Sequence, residues 1–163
     1  MNRYFEIAKH LNDAGVRYLI AGGFAANMYG VPRMTQDIDL IVEFEKENLL
    51  KLENTIKGLG FSERVPVFAR DLWDIAYRKT LRDTKNMLAF TYHDPKNSRV
   101  EIDLILDQPF AFEELWDKQE SRSSGDGTIM RLVSVDQLIA MKAAVGRSQD
   151  MFDVVHLKKL YGK

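Results

Sequence analysis

Asp37-Ile38-Asp39-Leu40 and Glu101-Ile102-Asp103-Leu104 are two short stretches in which acidic and aliphatic residues alternate. Side chains on a β-strand point alternately to its two faces, so each stretch places its carboxylates on one face and its aliphatic groups on the other. The aliphatic face belongs in a core, and the acidic face then lines a cleft. If the two strands are neighbours, three or four carboxylates converge, and such a cluster usually holds a cation because the groups otherwise repel one another. The sequence therefore predicts a metal-dependent enzyme.

The composition is that of one globular domain. A chain of 163 residues has room for one core, and 45% hydrophobic with 29% charged residues is ordinary for a soluble protein. We expect a single domain over 1–163, with a catalytic sheet at about 16–106 and a helical C-terminal segment at about 134–161. The absence of cysteine leaves oxygen and histidine ligands for a metal, and carboxylates favour Mg²⁺ or Mn²⁺.

Charge and hydropathy argue against some classes of partner. The formal net charge of −1 does not favour a broad surface for polyanions. Neither the N-terminus nor any later run is apolar enough for a signal peptide or a membrane span. We therefore expect a cytoplasmic protein with no membrane partner.

Periodicity and turn residues predict an alternation of helices and strands. Helices are expected from about residue 5 to Gly15 and at 24–29, 48–59, 110–118, 135–145 and 148–161. Strands are expected at 16–21, 37–42, 87–92, 99–106 and 128–133, with a further one somewhere in 61–69. The strands at 87–92 and 99–106 should form an antiparallel hairpin, 121–127 should be a polar loop, and 71–78 receive no element. This order predicts an α/β fold with a mixed β-sheet and helices packed against it.

Gly22-Gly23 follows the first predicted strand and precedes a helix. Two glycines permit positive φ and let a backbone approach a ligand closely, and successive amide groups there can bind phosphate oxygens. Such a pair by itself is more often a plain turn. Together with Asp37, Asp39 and Asp103 it favours an enzyme that acts on a phosphate ester.

These motifs resemble those of the DNA polymerase beta type nucleotidyltransferase superfamily. Gly22-Gly23-Phe24-Ala25, the stretch 33–40 and the late segment 142–153 resemble more closely its abortive-infection (AbiEii-like) toxin branch. The resemblance extends over most of the chain. It implies a minimal nucleotidyltransferase fold with a short helical C-terminus.

The resemblance also implies a reaction and roles for the acidic residues. A nucleoside triphosphate such as ATP binds by its phosphates at the glycine turn, and a nucleoside monophosphate passes to an acceptor hydroxyl with release of pyrophosphate. Asp37 and Asp39 would hold two Mg²⁺ ions. Asp103 would bind the metal on the acceptor side, and either Asp103 or Glu101 would take the hydroxyl proton.

Lys142 occupies a position where the helix starting after Ser134 should present an apolar side chain. Its ammonium either extends out of the core edge into solvent or points into the cleft, where it would stabilise the charge on the transferred phosphoryl group. The resemblance favours the second reading. It also implies that Asp153 positions Lys142 or contacts the nucleotide, and that Arg33 and Thr35 touch the triphosphate.

The acceptor stays open at this stage. The toxin branch favours RNA or protein, whereas the short C-terminus makes an antibiotic hydroxyl a serious alternative and suggests a homodimer or an antitoxin partner. A nucleotide-binding or toxin-antitoxin interaction module without turnover is the alternative from another class. The three histidines show no ligand spacing and receive no role.

Overall fold

The computed structural model describes residues 3–97 and 99–163. One mixed sheet runs through it, in the order β3-β4-β5-β2-β1-β7-β6. The strands are β1 Tyr18–Ala21, β2 Asp37–Val42, β3 Ser62–Glu63, β4 Ala89–His93, β5 Glu101–Ile105, β6 Glu120–Ser123 and β7 Ile129–Leu132. The α-helices are α1 Arg3–Asp13, α2 Gly22–Met28, α3 Lys46–Gly58, α4 Ile75–Lys85, α5 Phe112–Asp117, α6 Val135–Val145 and α7 Ser148–Tyr161. The α/β fold class is confirmed.

Strand β2 joins the two parts of the sheet that matter for function. It pairs antiparallel with β1 and parallel with β5, and β5 pairs antiparallel with β4 as the predicted hairpin requires. The parallel pairing of β2 with β5 aligns two segments that are far apart in the sequence. It therefore depends on tertiary packing instead of a local turn.

The aliphatic face of these two strands is the centre of the core. Ile38, Leu40, Ile102 and Leu104 are all fully buried, as the alternation predicts. Burial of each such side chain stabilises the fold by about 1.5–3 kcal/mol relative to exposure. This packing keeps the opposite, acidic face in a fixed orientation.

Helices α6 and α7 follow one another with clear signals at their ends. The Ser134 hydroxyl accepts a hydrogen bond from the Gln137 amide at 3.3 Å and caps the start of α6, as predicted. Gly146 ends α6 in the left-handed region, at φ +71°. The close succession of the two helices brings Lys142 next to the first turns of α7.

Two parts of the chain differ from the prediction. Residues 121–127 were expected to be a loop, but 121–123 belong to strand β6. This strand pairs antiparallel with β7 at the edge of the sheet. All four side chains of β6 are polar and are half-buried or exposed. The sequence therefore lacks the alternation of apolar and polar residues that would predict a strand. Helix α4 was missed because Leu81 is its one buried residue; the Asp74 carboxylate caps it by accepting from the Ala76 amide at 2.8 Å. In the part of the chain described here, every helix is too short or too polar to span a bilayer.

Candidate active site

Three carboxylates lie on one face of the sheet and line one cavity of about 430 Å³. The register of β2 and β5 places Asp39 beside Asp103 and Asp37 beside Glu101. Asp37, Asp39 and Asp103 all face the cavity. Glu101 forms an ion pair with Arg64 instead and does not line it.

The carboxylates destabilise one another's charged forms. Burial and the nearby charge of Asp103 raise the pKa of Asp39 to about 6, although a hydrogen bond from the Gly23 amide acts in the opposite direction. Burial also raises the pKa of Asp103, against the hydroxyl of Thr91, which donates to the Asp103 carboxylate at 2.6 Å. The site therefore has an excess of buried negative charge that a cation would neutralise.

The glycine turn lets Asp39 approach the backbone. Gly22 has φ +63°, and a Cβ placed there would lie 1.7 Å from Asp39 Oδ2. A Cβ on Gly23 would lie 2.9 Å from the Thr35 hydroxyl and 3.0 Å from Arg33 Cζ. A side chain at either position would therefore displace its neighbours. Arg33 and Thr35 line the same cavity.

Lys142 lies in the cavity wall and does not extend into solvent. Its side chain is 5% exposed, and its Nζ atom is 2.7 Å from Asp153 Oδ2 and 3.7 Å from Asp150 Oδ1. Asp153 has no exposed surface, also accepts from Arg33 Nη1 at 2.6 Å, and does not line the cavity. Of its two expected roles, the geometry favours positioning of Lys142 over contact with a nucleotide.

This arrangement combines a carboxylate face, a glycine turn and the cations Arg33 and Lys142 around one cavity, which is the layout expected of a phosphate-transferring site. The protein family model described as "Nucleotidyl transferase AbiEii toxin, Type IV TA system" matches residues 11–163. The chain belongs to the AbiEii nucleotidyltransferase toxin family. Nucleotidyl transfer is therefore the class of its activity.

Solved structures with the same fold include enzymes that act on antibiotics. The lincosamide antibiotic adenylyltransferase LnuA, with lincomycin bound, matches with a TM-score of 0.64 and 13% identity over 98% of each chain. ANT(2")-Ia in complex with adenylyl-2"-tobramycin matches with a TM-score of 0.56 and 13% identity over 94% of this chain and 84% of its own. JHP933 from Helicobacter pylori matches with a TM-score of 0.53 and 16% identity, over 98% of this chain and 65% of its own. At these identities the likeness shows only the fold of this chain. No curated protein sequence is similar enough to serve as a relative.

The cavity also has an apolar wall that the sequence motifs did not indicate. Leu138, Met141 and Val145 line it from α6, and Ile105 lines it from β5. The three α6 residues recur at helical spacing in the sequence. This spacing predicts an apolar face on the helix, but it does not show which element or cavity that face contacts. Arg147, Gln149 and Asp150 contribute from the start of α7, where Arg147 Nε pairs with Asp150 Oδ2 at 2.7 Å.

The carboxylates do not by themselves form a closed metal cage. Among residues 3–97 and 99–163, no three His, Cys, Asp or Glu side chains are close enough together to hold a metal ion. Asp37, Asp39 and Asp103 nevertheless line the same cavity, and their binding of a metal ion stays a prediction. Burial and then the charge of Asp103 raise the pKa of Asp39, so its ionised form is disfavoured in the absence of a cation.

Proposed function

We propose that this protein transfers a nucleoside monophosphate from a nucleoside triphosphate to an acceptor hydroxyl on RNA or protein, with release of pyrophosphate. The observation that carries the proposal is the pairing of Asp39 with Asp103 in adjacent parallel strands, directly beside the Gly22 turn. Membership of a toxin family supports a macromolecule of the cell as acceptor.

The triphosphate binds at the glycine end of the cavity in this proposal. Gly22 and Gly23 let the phosphates approach the backbone, and Arg33 and Lys142 provide positive charge on the same cavity wall. Thr35 adds a hydroxyl donor. Asp153 holds both cations, since its carboxylate pairs with Arg33 at 2.6 Å and Lys142 at 2.7 Å.

The donor set fits Mg²⁺ or Mn²⁺. Asp37, Asp39 and Asp103 offer only oxygen ligands, and burial raises the pKa values of Asp39 and Asp103, so a bound cation would stabilise their charged forms. Mg²⁺ usually takes one or two carboxylates and completes its shell with waters and substrate phosphates, so a closed protein cage is not required. Such ions neutralise charge on the attacking and leaving oxygens when bound.

Asp103 is the group that we assign to the acceptor. It lies on the side of the cavity away from Gly22, and the Thr91 hydroxyl fixes one of its oxygens at 2.6 Å. Its carboxylate accepts the proton that the acceptor hydroxyl loses as the new phosphate ester forms. Lys142 stabilises the negative charge that builds up on the transferred group.

A small-molecule acceptor is the second candidate, favoured by one observation. LnuA, whose structure holds lincomycin, matches this chain over 98% of both lengths, so no additional domain is needed for an antibiotic acceptor in that fold. Salt dependence separates an RNA acceptor from a small-molecule acceptor. Turnover on RNA should weaken steeply as salt rises, because phosphate contacts release counterions, whereas turnover on an uncharged small molecule should not.

Labelling with radioactive nucleoside triphosphates tests the proposal. Purified protein with Mg²⁺ should label an acceptor in a cell extract and release pyrophosphate, and Asp39→Ala should abolish both. Asp13→Ala, which removes an exposed carboxylate at the end of α1, is the matched control and should retain both. Equal labelling by wild type and Asp39→Ala would refute the assignment, and nucleotide binding without pyrophosphate release would point to a module without turnover.

A further inference from the structure

Among the described residues that line the catalytic cavity, Arg147 is the one cation whose side chain is largely exposed. The relative exposure of its side chain is 76%, whereas that of Arg33 is 18% and that of Lys142 is 5%. Burial fixes Arg33 and Lys142 in the wall of the cavity. The guanidinium of Arg147, which lies just before α7, has the freedom to turn toward a ligand.

Two buried acids pair with these three cations. Asp153 pairs with Arg33 at 2.6 Å and with Lys142 at 2.7 Å. Asp150 pairs with Arg147 at 2.7 Å and lies 3.7 Å from Lys142. Three cations thus share two carboxylates, so this group of side chains carries one positive charge in excess. The exposed member of the group can offer that charge to an anion.

The ion pair with Asp150 occupies one edge of the Arg147 guanidinium. Nε donates to Asp150 Oδ2 at 2.7 Å, and Nη2 donates to Asp150 Oδ1 at 3.4 Å. In the part of the chain that the structure describes, Nη1 has no hydrogen-bond partner. A planar guanidinium has five N–H donors, so its free edge can bind a second anion while the first edge stays paired.

The Arg147 guanidinium is close enough to the catalytic carboxylates to interact with them. The hydrogen bond with Asp150 is the main cause that raises the pKa of Arg147; burial lowers this pKa, and the charges of Asp150 and Asp39 raise it further. Asp39 lies against the Gly22 turn, where the triphosphate binds in the proposed function. A phosphate chain that begins beside Asp39 can therefore extend toward Arg147.

We propose that Arg147 binds the β- and γ-phosphates of the nucleoside triphosphate through its free guanidinium edge, while Asp150 holds the other edge. The inference rests on the proposed function, since it assigns the leaving-group end of the same site. Pyrophosphate departs with the electron pair of the broken P–O bond, and Arg147 neutralises part of that charge. Lys142, deeper in the wall, stays with the transferred phosphoryl group.

Binding of inorganic tripolyphosphate tests this assignment without turnover and for any base preference. The full chain is titrated with tripolyphosphate by calorimetry in the presence of Mg²⁺. Arg147→Gln should raise the Kd roughly ten- to hundred-fold, as loss of a hydrogen bond to a charged group usually does. Arg147→Lys keeps the charge but not the fork of donors, so its Kd should lie between those of wild type and Arg147→Gln.

Arg82→Gln is the matched control for loss of one exposed arginine. Arg82 also pairs with two carboxylates, Asp83 at 3.2 Å and Asp107 at 2.6 Å, and does not line the catalytic cavity. Its substitution should leave the Kd for tripolyphosphate unchanged. Urea unfolding of each variant separates a structural effect from a loss of binding, and Arg147→Gln should unfold like Arg82→Gln because both arginines form exposed ion pairs.

Several results would overturn the role of Arg147. These are no binding of tripolyphosphate by the wild type, a wild-type Kd in Arg147→Gln, and equal losses of affinity in Arg147→Gln and Arg82→Gln. A loss of affinity that accompanies a large fall in the unfolding free energy of Arg147→Gln alone would assign Arg147 to the fold instead. Pyrophosphate release that depends on Asp39, measured separately, would in each case leave the proposed function intact.

Discussion

Lys142 on α6 and Asp153 on α7 form a buried ion pair, with 2.7 Å between Nζ and Oδ2. The Asp153 carboxylate also accepts from Arg33, which comes from the loop before β2. One buried acid therefore links the helical C-terminal part to the wall of the catalytic cavity. This makes the pair important for both stability and activity, and the two effects can be measured separately.

Asp153→Asn should strongly destabilise the protein. The substitution leaves Lys142 and Arg33 facing a neutral amide in a fully buried place, and loss of one partner of a buried pair typically costs about 3–5 kcal/mol. Urea unfolding followed by circular dichroism measures the change. Asp13→Asn, at the exposed pair with Lys9, should cost less than about 1 kcal/mol. Similar losses for both variants would contradict a structural role for the buried pair.

Lys142→Met should reduce catalysis more than folding. Arg33 and Arg147 still compensate Asp153 and Asp150 in this variant. Loss of a cation that stabilises the transition state typically lowers kcat about 10²–10³-fold. Steady-state kinetics should show this fall with the KM for the acceptor nearly constant. Lys158→Met, at an exposed position of α7, should keep full activity, and a Lys142→Met enzyme with wild-type kcat would remove Lys142 from the mechanism.

The carboxylate face could be predicted from sequence because a strand has a period of two. Asp37, Asp39 and Asp103 stand in the same phase relative to aliphatic neighbours, and burial of those neighbours leaves the acids on the other face. Lys142 was found in the same way, as an exception to a helical period. Local patterns of this kind require no knowledge of the tertiary structure.

Other features of the site depend on register and on packing between distant elements. The bond from Thr91 to Asp103 exists because β4 pairs with β5 in a register that places these residues opposite one another. Arg33 and Arg147 approach one cavity from the segments before β2 and α7. Neither arrangement leaves a periodic signal in the sequence. Helix α4 itself escaped prediction because its surroundings bury so little of it.

Gly22→Ala should abolish activity and destabilise the fold. Gly15→Ala should destabilise the fold less and should retain activity. Both glycines have φ near +65°, where an L-residue costs about 1–2 kcal/mol. A Cβ at Gly15 meets nothing within 4 Å, but one at Gly22 would overlap Asp39 Oδ2. The difference between the two variants isolates the effect of crowding at Asp39. Equal unfolding free energies and equal pyrophosphate release would show that the close approach is unimportant.

The raised pKa of Asp39 predicts a pH dependence of stability in the absence of metal. The native state holds a proton on Asp39 up to about pH 6, whereas the unfolded chain loses it near the ordinary value of 3.8. Between these values the folded state binds more protons, so the contribution of Asp39 to stability is fully present below pH 3.8 and is lost as pH rises through about 6. Asp39→Asn should remove this decline and raise the unfolding free energy at pH 7.5 by on the order of 2–3 kcal/mol.

Mg²⁺ should reverse the same loss in the wild type. A cation that binds the ionised carboxylates must compete with the proton below pH 6, so the rise in Tm caused by Mg²⁺ should be small at pH 5 and larger at pH 7.5. Melting curves with EDTA or Mg²⁺ at the two pH values measure the effect for wild type and for Asp39→Asn. The variant should gain little at either pH because it lacks a charged ligand at this position. A Mg²⁺ effect that is equal at both pH values, or equal in the two proteins, would show that the cation stabilises the protein from somewhere other than the Asp39 site.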